Sequence, residues 1–179
     1  SILKDGLWDP YNNQAMGNCA EILNKDYSFS RMAQDEYAIE SYIRSNDAIS
    51  KGYFKDEIVK VTYKTKKGII EIDKDEEPLK FNQDKILALR PAFDSDGTIT
   101  AANASSLSDG AAAVLLASNK MIKKYNLNPI AKIIDQASYA SDPLYFTKAP
   151  IYAIQKVLEK SNFDINNVDL FEINEAFSC

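Results

Sequence analysis

TITAANASSLSDGAAAVLLAS, residues 98–118, is the stretch on which the reading of this chain turns. The β-branched run Thr98-Ile99-Thr100 enters a cluster of small residues, Ala101 to Ser106, followed by a polar turn at Ser108-Asp109-Gly110. Small side chains let backbone approach backbone or ligand closely. The run Ala111 to Ala117, built of Ala, Val and Leu and bounded by turn residues, predicts a buried strand. The middle of the chain is therefore a crowded junction that feeds a core strand, packed tightly either against itself or against a cofactor.

Outward from that junction the pattern changes character. Downstream, Ser118 is placed to cap a helix over 119–125, and Ile130 to Ala140 predicts a strand. Pro150 suits the first turn of a helix reaching about Lys160, Asn166-Asn167 marks a turn, and Val168 to Ile173 predicts a last strand. Strand and helix alternate, which predicts an α/β class with a parallel or mixed sheet. Upstream, Asn18 is read as the cap of a short helix over 18–24, and Ser30 as the cap of a longer one over 31–51, stopped by Gly52. Ala38, Ile39, Tyr42, Ile43 and Ile49 would form its apolar face. Residues 57–63 and 69–72, separated by Lys66-Lys67-Gly68, predict a hairpin. The acidic run 73–77 reads as a solvated loop. The change in rhythm puts a boundary near Leu107.

The composition narrows the function classes. The chain has 179 residues, 45% hydrophobic and 26% charged, with a formal net charge of -5, a balance that argues against general nucleic-acid binding. No apolar run has the length of a membrane span. Two cysteines, Cys19 and Cys179, fit a reducing compartment without a disulfide framework. There is no histidine, which removes the commonest general base and the triads built on it.

Single residues leave alternatives open. Asn174-Glu175 stands at a predicted strand end, where active-site groups gather in α/β sheets, but its spacing equally fits a helix cap beside a surface acid. Cys19 has no histidine to activate it and reads as a small buried residue. Lys80, Lys85 and Arg90 would hold an anion or form a solvated basic face.

Taken together, DGLWD at 5–9, MGNCAE at 16–21, QDEYAIESY at 34–42, DGTITAANASSLSDGAAAVLLAS at 96–118 and EINEAFS at 172–178 resemble the thiolase family. The nearest likeness is to its acetoacetyl-CoA-forming acetyltransferases. The resemblance covers essentially the whole chain. It implies a loop domain over residues 1–107, the last part of the N-terminal thiolase half over 108–128, and the start of the C-terminal half over 129–179. It also implies a homotetramer acting on acetyl-CoA or acetoacetyl-CoA, with coenzyme A thioesters as substrates and no covalent cofactor. The family's nucleophilic cysteine is expected before residue 1, and its GHP histidine and second catalytic cysteine after residue 179. A longer-chain 3-ketoacyl-CoA thiolase and a non-catalytic coenzyme A-binding or assembly module are the alternatives.

Site residues follow from matching positions. Asn174 matches the catalytic asparagine that holds a water on the thioester oxygen, a role suited to stabilising developing negative charge. Ser105 matches the serine on the pantetheine, and Lys80, Phe81, Asn82 and Lys85 match the grip on the nucleotide, together with Tyr42. Met16, Phe93 and Phe146 match the acyl pocket. Tyr42 and the carbonyls of Ala101, Ala102 and Ala104 match a potassium site of one subgroup, and carbonyls are suitable hard ligands. Ala15 departs from the histidine of many biosynthetic members, and Thr147 from a frequent proline.

Overall fold

The computed structural model describes residues 2–179, which divide into two units: 2–106 with 175–179, and 107–174. The first unit opens with α1 (Ile2–Gly6) and a short ladder of β1 (Trp8–Asp9) on β2 (Gln14–Ala15), with Trp8 opposite Ala15. The ladder hands the chain directly into α2 (Met16–Tyr27), so the helix starts two residues before the expected Asn18 cap. Asn18 does not cap anything there. Its side-chain amide, already inside the helix, donates to the Phe93 carbonyl at 3.0 Å. The helix stops at Ser28, which takes a left-handed conformation.

Ser30 caps α3 (Arg31–Ser50) as the sequence predicts, accepting the Ala33 N–H at 3.1 Å. Gly52, with φ of +69°, follows its end. The buried face of α3 is only in part the apolar one expected: Ala38 is buried and Ile39, Tyr42 and Ile49 are half-buried, but polar residues share it. Gln34, Asp35 and Ala38 are buried, while Ile43 is exposed. The reason lies across from it: the 98–103 segment presents hydroxyls, amides and backbone groups, and these need polar partners rather than methyls.

The hairpin forms from β3 (Val61–Thr65) and β4 (Gly68–Ile72), antiparallel, with Thr65 opposite Gly68 and Lys66-Lys67 as the turn. It begins later than predicted because residues 51–57 continue as turns, with the Ile58 N–H on the Phe54 carbonyl at 3.1 Å. Beyond it a 3-10 turn (Pro78–Lys80) leads into α4 (Gln83–Leu87), whose first turn is capped by the Asn82 side chain on the Lys85 N–H at 2.9 Å.

The core of this unit is unusual in kind. Among the described residues, six buried apolar side chains (Cys19, Ala20, Leu23, Ala38, Ile86 and Ile99) are outnumbered by seven buried polar ones, so hydrogen bonds as well as packing define it. Glu21, Asn24, Gln34 and Thr98 form one cluster. Thr98 Oγ1 accepts from Asn24 Nδ2 and Gln34 Nε2, both at 2.9 Å, and donates to Glu21 Oε2 at 3.0 Å. Two glycines permit close approach. A Cβ on Gly17 would lie 2.3 Å from the Phe93 ring, and one on Gly97 2.4 Å from a Glu21 carboxylate oxygen.

The second unit contains α5 (Asn119–Tyr125), capped by Ser118 and closed by left-handed Asn126, and α6 (Ala149–Ser161), with Pro150 in its first turn. A 3-10 stretch (Pro143–Lys148) precedes α6, and another (Ile165–Asn167) fills the turn expected near Asn166. Residues 135–139 run beside α6: Lys160 pairs with Asp135, Lys156 donates to the Ser138 carbonyl at 3.3 Å, and the Tyr139 and Tyr152 ring centroids are 4.8 Å apart. The three strands predicted at 111–117, 130–140 and 168–173 are not formed. These segments lie outside any sheet among the described residues, and Val114, Leu115 and Leu170 are 86%, 86% and 89% exposed. An apolar run becomes a strand only when a neighbouring strand pairs its backbone groups. Strand pairing among the described residues is confined to the two short ladders and an isolated bridge, Ala104 to Phe177.

Candidate functional site

A cleft of about 170 Å³ opens in the first unit between the inner face of α3, the 77–89 segment and the turn at Ala101-Ala102. Tyr42, on α3, stacks on Phe81 with centroids 5.6 Å apart and planes 18° from parallel. Asn46, one turn further along α3, donates to the Pro78 carbonyl at 2.8 Å and so ties the 3-10 turn to the helix. That turn aims Lys80 into the cleft. Lys85 and Ile86 follow on α4, and Asn82, Leu89, Ala101 and Ala102 complete the lining.

Glu77 governs the electrostatics. Its carboxylate accepts Lys80 Nζ at 2.8 Å and the Tyr42 hydroxyl at 3.4 Å. The ion pair holds the Lys80 ammonium above its ordinary pKa, so it stays charged. The Tyr42 phenol is also pushed up, first by burial and then by the Glu77 charge. Glu77 falls in the acidic run that reads as a solvated loop. It is instead part of the cleft wall, because the Pro78 turn folds it back onto α3. The chamber thus offers an aromatic platform and two lysines, one of them paired with Glu77, a combination suited to a ring system carrying phosphates.

Seven of the residues singled out in the sequence line this one cleft: Tyr42, Lys80, Phe81, Asn82, Lys85, Ala101 and Ala102. Within it the Asn82 side-chain oxygen is already engaged as the α4 cap. Ala104 and Ser105 lie just past the cleft wall. Ala104 bridges to Phe177, and the Ser105 N–H donates to the Ala176 carbonyl at 2.9 Å, leaving the Ser105 side chain on an exposed residue. Met16 begins α2, and the Phe93 ring packs on the next residue, Gly17, with its edge toward Phe177 at 6.4 Å. Phe146 and Asn174 belong to the second unit. Phe146 sits half-buried in the 3-10 stretch before α6, and Asn174 is exposed at the unit's end. The residue after it, Glu175, accepts the hydroxyl of Tyr37 from α3, a bond that raises the Tyr37 pKa.

Both cysteines are unsuited to nucleophilic work. Cys19 is buried on α2, where Gln14 Nε2 donates to its sulfur at 3.3 Å, and burial pushes its thiol up; burial does the same to Cys179. Among the described residues no group of three His, Cys, Asp or Glu side chains is assembled for a metal ion. Among the described residues no helix is long and apolar enough to cross a membrane.

Sequence reasoning missed the polar residues behind the cleft. Arg31 Nε donates to Asp35 Oδ2 at 2.7 Å, and Asp35 Oδ1 accepts Asn103 Nδ2 at 2.9 Å. The signal was present as an Arg–Asp pair at i,i+4 in a helix, with the aspartate turned inward.

Comparison with known proteins gives this arrangement a lineage. Residues 1–120 match the thiolase N-terminal domain and residues 127–179 the thiolase C-terminal domain. The chain is 51% identical over 178 residues to an acetyl-CoA acetyltransferase of Yarrowia lipolytica and 44% identical to a probable acetyl-CoA acetyltransferase of Dictyostelium discoideum. These alignments cover 99% of the chain but 45% and 43% of the relatives, so the chain spans less than half of their length. Among solved structures, the acetyl-CoA acetyltransferase of Bacillus anthracis superposes with a TM-score of 0.92 at 40% identity, over 96% of this chain and 44% of that one. A thiolase from Ascaris suum in complex with coenzyme A superposes with a TM-score of 0.91 at 44% identity, over 99% of this chain and 45% of that one. Two domain models in series, relatives above 40% identity and superposition on solved thiolases agree, and the chain belongs to the thiolase family.

Proposed function

We propose that this chain is the coenzyme A-binding middle part of an acetyl-CoA acetyltransferase, which joins two acetyl-CoA into acetoacetyl-CoA or runs the reverse thiolysis. The observation that carries the reading is the cleft: a stacked Tyr42–Phe81 pair beside Lys80 and Lys85 suits an adenine ring and its phosphates. The names of the similar proteins supply the reaction, and the Ascaris suum thiolase supplies the ligand. In this reading the nucleotide enters the cleft, Ser105 meets the pantetheine, and Met16 and Phe93 line the acyl group's place. Asn174 orients a water on the thioester oxygen, where negative charge develops. An acyl-cysteine intermediate divides the transfer into two easier steps. In this reading, as the family likeness implies, the nucleophilic cysteine and the histidine that serves it belong to parts of the full-length protein outside these 179 residues.

Potassium fits the chemistry of the donor set. Tyr42, Ala101 and Ala102 line one cleft, with the Glu77 carboxylate beside the Tyr42 hydroxyl to balance charge; the hydroxyl and the carbonyls of Ala101, Ala102 and Ala104 would be the hard oxygen donors. Bound there, the ion would stiffen the Ala101–Ser105 backbone. The expected assembly is a homotetramer, which light scattering on the full-length protein checks.

The deciding assay is thiolysis of acetoacetyl-CoA. The full-length protein should catalyse it faster in potassium than in sodium, and the isolated 179-residue chain should not catalyse it at all. Preference for long-chain 3-ketoacyl-CoA would replace the reading with the longer-chain thiolase. Activity of the isolated chain would overturn the assignment of the nucleophile to residues outside it.

A further inference from the structure

The two walls of the cleft come from parts of the chain far apart in sequence, and one buried relay ties them together. One wall ends α4, where Arg31 Nη2 donates to the carbonyls of Ile86 and Leu89 at 3.3 and 2.9 Å. The same guanidinium donates through Nε to Asp35. Asp35 then takes the Asn103 amide on its other oxygen. Asn103 closes the opposite wall: its Oδ1 accepts the Thr100 N–H at 2.7 Å, while Thr100 Oγ1 accepts the Ala102 and Asn103 N–H groups at 3.3 and 3.4 Å. This side-chain loop fixes the backbone of Ala101 and Ala102, which line the cleft. The Asn103 carbonyl also accepts the Ser178 N–H at 2.9 Å, so the turn that presents Ser105 is held in the same frame.

We infer that Asp35 is a positioning residue that sets the distance between the two walls of the nucleotide cleft, and with it the affinity for the nucleotide end of coenzyme A. The inference rests on the coenzyme A reading of the cleft. Asp35 and Asn103 are both 2% exposed and take no part in the lining, so their action on a ligand passes entirely through Ile86, Leu89, Ala101 and Ala102. A carboxylate is needed because only it accepts on both oxygens. An asparagine at that place must turn its NH2 toward Arg31 or toward Asn103, donor against donor.

The test uses the full-length protein in acetoacetyl-CoA thiolysis, with either coenzyme A or pantetheine, which lacks the nucleotide, as the thiol. Asp35→Asn should raise KM for coenzyme A about tenfold, the equivalent of one charge-assisted hydrogen bond, with kcat changed less than about twofold and KM for pantetheine unmoved. Arg31→Lys, which keeps the charge but loses the fork, should shift the same ratio in the same direction by less. A residue that served stability alone would lower kcat through the folded fraction and leave both KM values as they were. That result, or an equal rise in both KM values, overturns the inference. If Asp35→Asn does not fold, Arg31→Lys decides: an unchanged KM ratio refutes the relay. Wild-type protein that uses pantetheine as well as coenzyme A would instead refute the nucleotide reading of the cleft.

Discussion

The carboxylate of Glu21 accepts the backbone N–H groups of Thr98 and Ile99, each at 2.7 Å, across 77 and 78 residues of sequence. Its other oxygen takes Asn24 Nδ2 at 3.2 Å and the Thr98 hydroxyl at 3.0 Å. α2 is thereby fastened to the small-residue stretch through Glu21, with Asn24 beside it bonding the Thr98 hydroxyl. Glu21→Gln places an NH2 group where two donors already point and should cost about 1–3 kcal/mol of stability. Glu21→Ala leaves two buried amides without acceptors and should cost more. Urea denaturation of the full-length protein measures both.

Gly17 has no room for a side chain, since a Cβ would meet the Phe93 ring at 2.3 Å. Gly17→Ala should improve helix propensity yet destabilise by about 1–3 kcal/mol, because the ring must leave its place. As Phe93 is assigned to the acyl pocket, KM for acetoacetyl-CoA should rise in parallel. Thermal melting with steady-state kinetics reads both.

Tyr42→Ala removes half of the Tyr42–Phe81 stack. An aromatic pair is worth about 0.5–1.5 kcal/mol beyond the area it buries, so affinity for coenzyme A should fall about three- to tenfold. Isothermal titration with coenzyme A gives the number, and the potassium response should weaken with it.

The Cys19 thiol has its pKa raised by burial. Its contribution to stability is therefore complete below the ordinary thiol pKa and is lost as pH rises through the raised one. Stability should decline in that alkaline window, and Cys19→Ala should flatten the decline. Native protein at pH 8 should also leave Cys19 unmodified by iodoacetamide until denaturant is added.

Legibility from sequence divided along physical lines. Features set by local chemistry were plain: the Ser30 and Ser118 caps, Gly52 after α3, the Lys66-Lys67 turn and Pro150 in the first turn of α6. Each depends on a few neighbouring residues. The cleft residues were legible only through the family likeness, since nothing in the spacing of Tyr42, Lys80 and Ala101 says that they meet. The strands at 111–117, 130–140 and 168–173 were misread because apolarity records a demand for burial, not the presence of a pairing neighbour. The polar face of α3 was misread because Gln34 and Asp35 satisfy groups more than sixty residues away. Glu77 was misread because a charge run was assumed to be wet.

The predominance of polar side chains in the core of the first unit bears on how freely its sequence can drift. A methyl in a greasy interior tolerates exchange, because neighbouring methyls shift to fill the gap. A donor cannot be replaced by another acceptor in the same way. Asn24, Gln34 and Glu21 all converge on Thr98, and Arg31, Asp35 and Asn103 form a chain in which each occupies its neighbour's remaining valence. In a library of random variants, the apolar sites Leu23 and Ile86 should accept several substitutes singly. Positions 21, 34, 35, 98 and 103 should accept almost none alone and recover only in matched combinations.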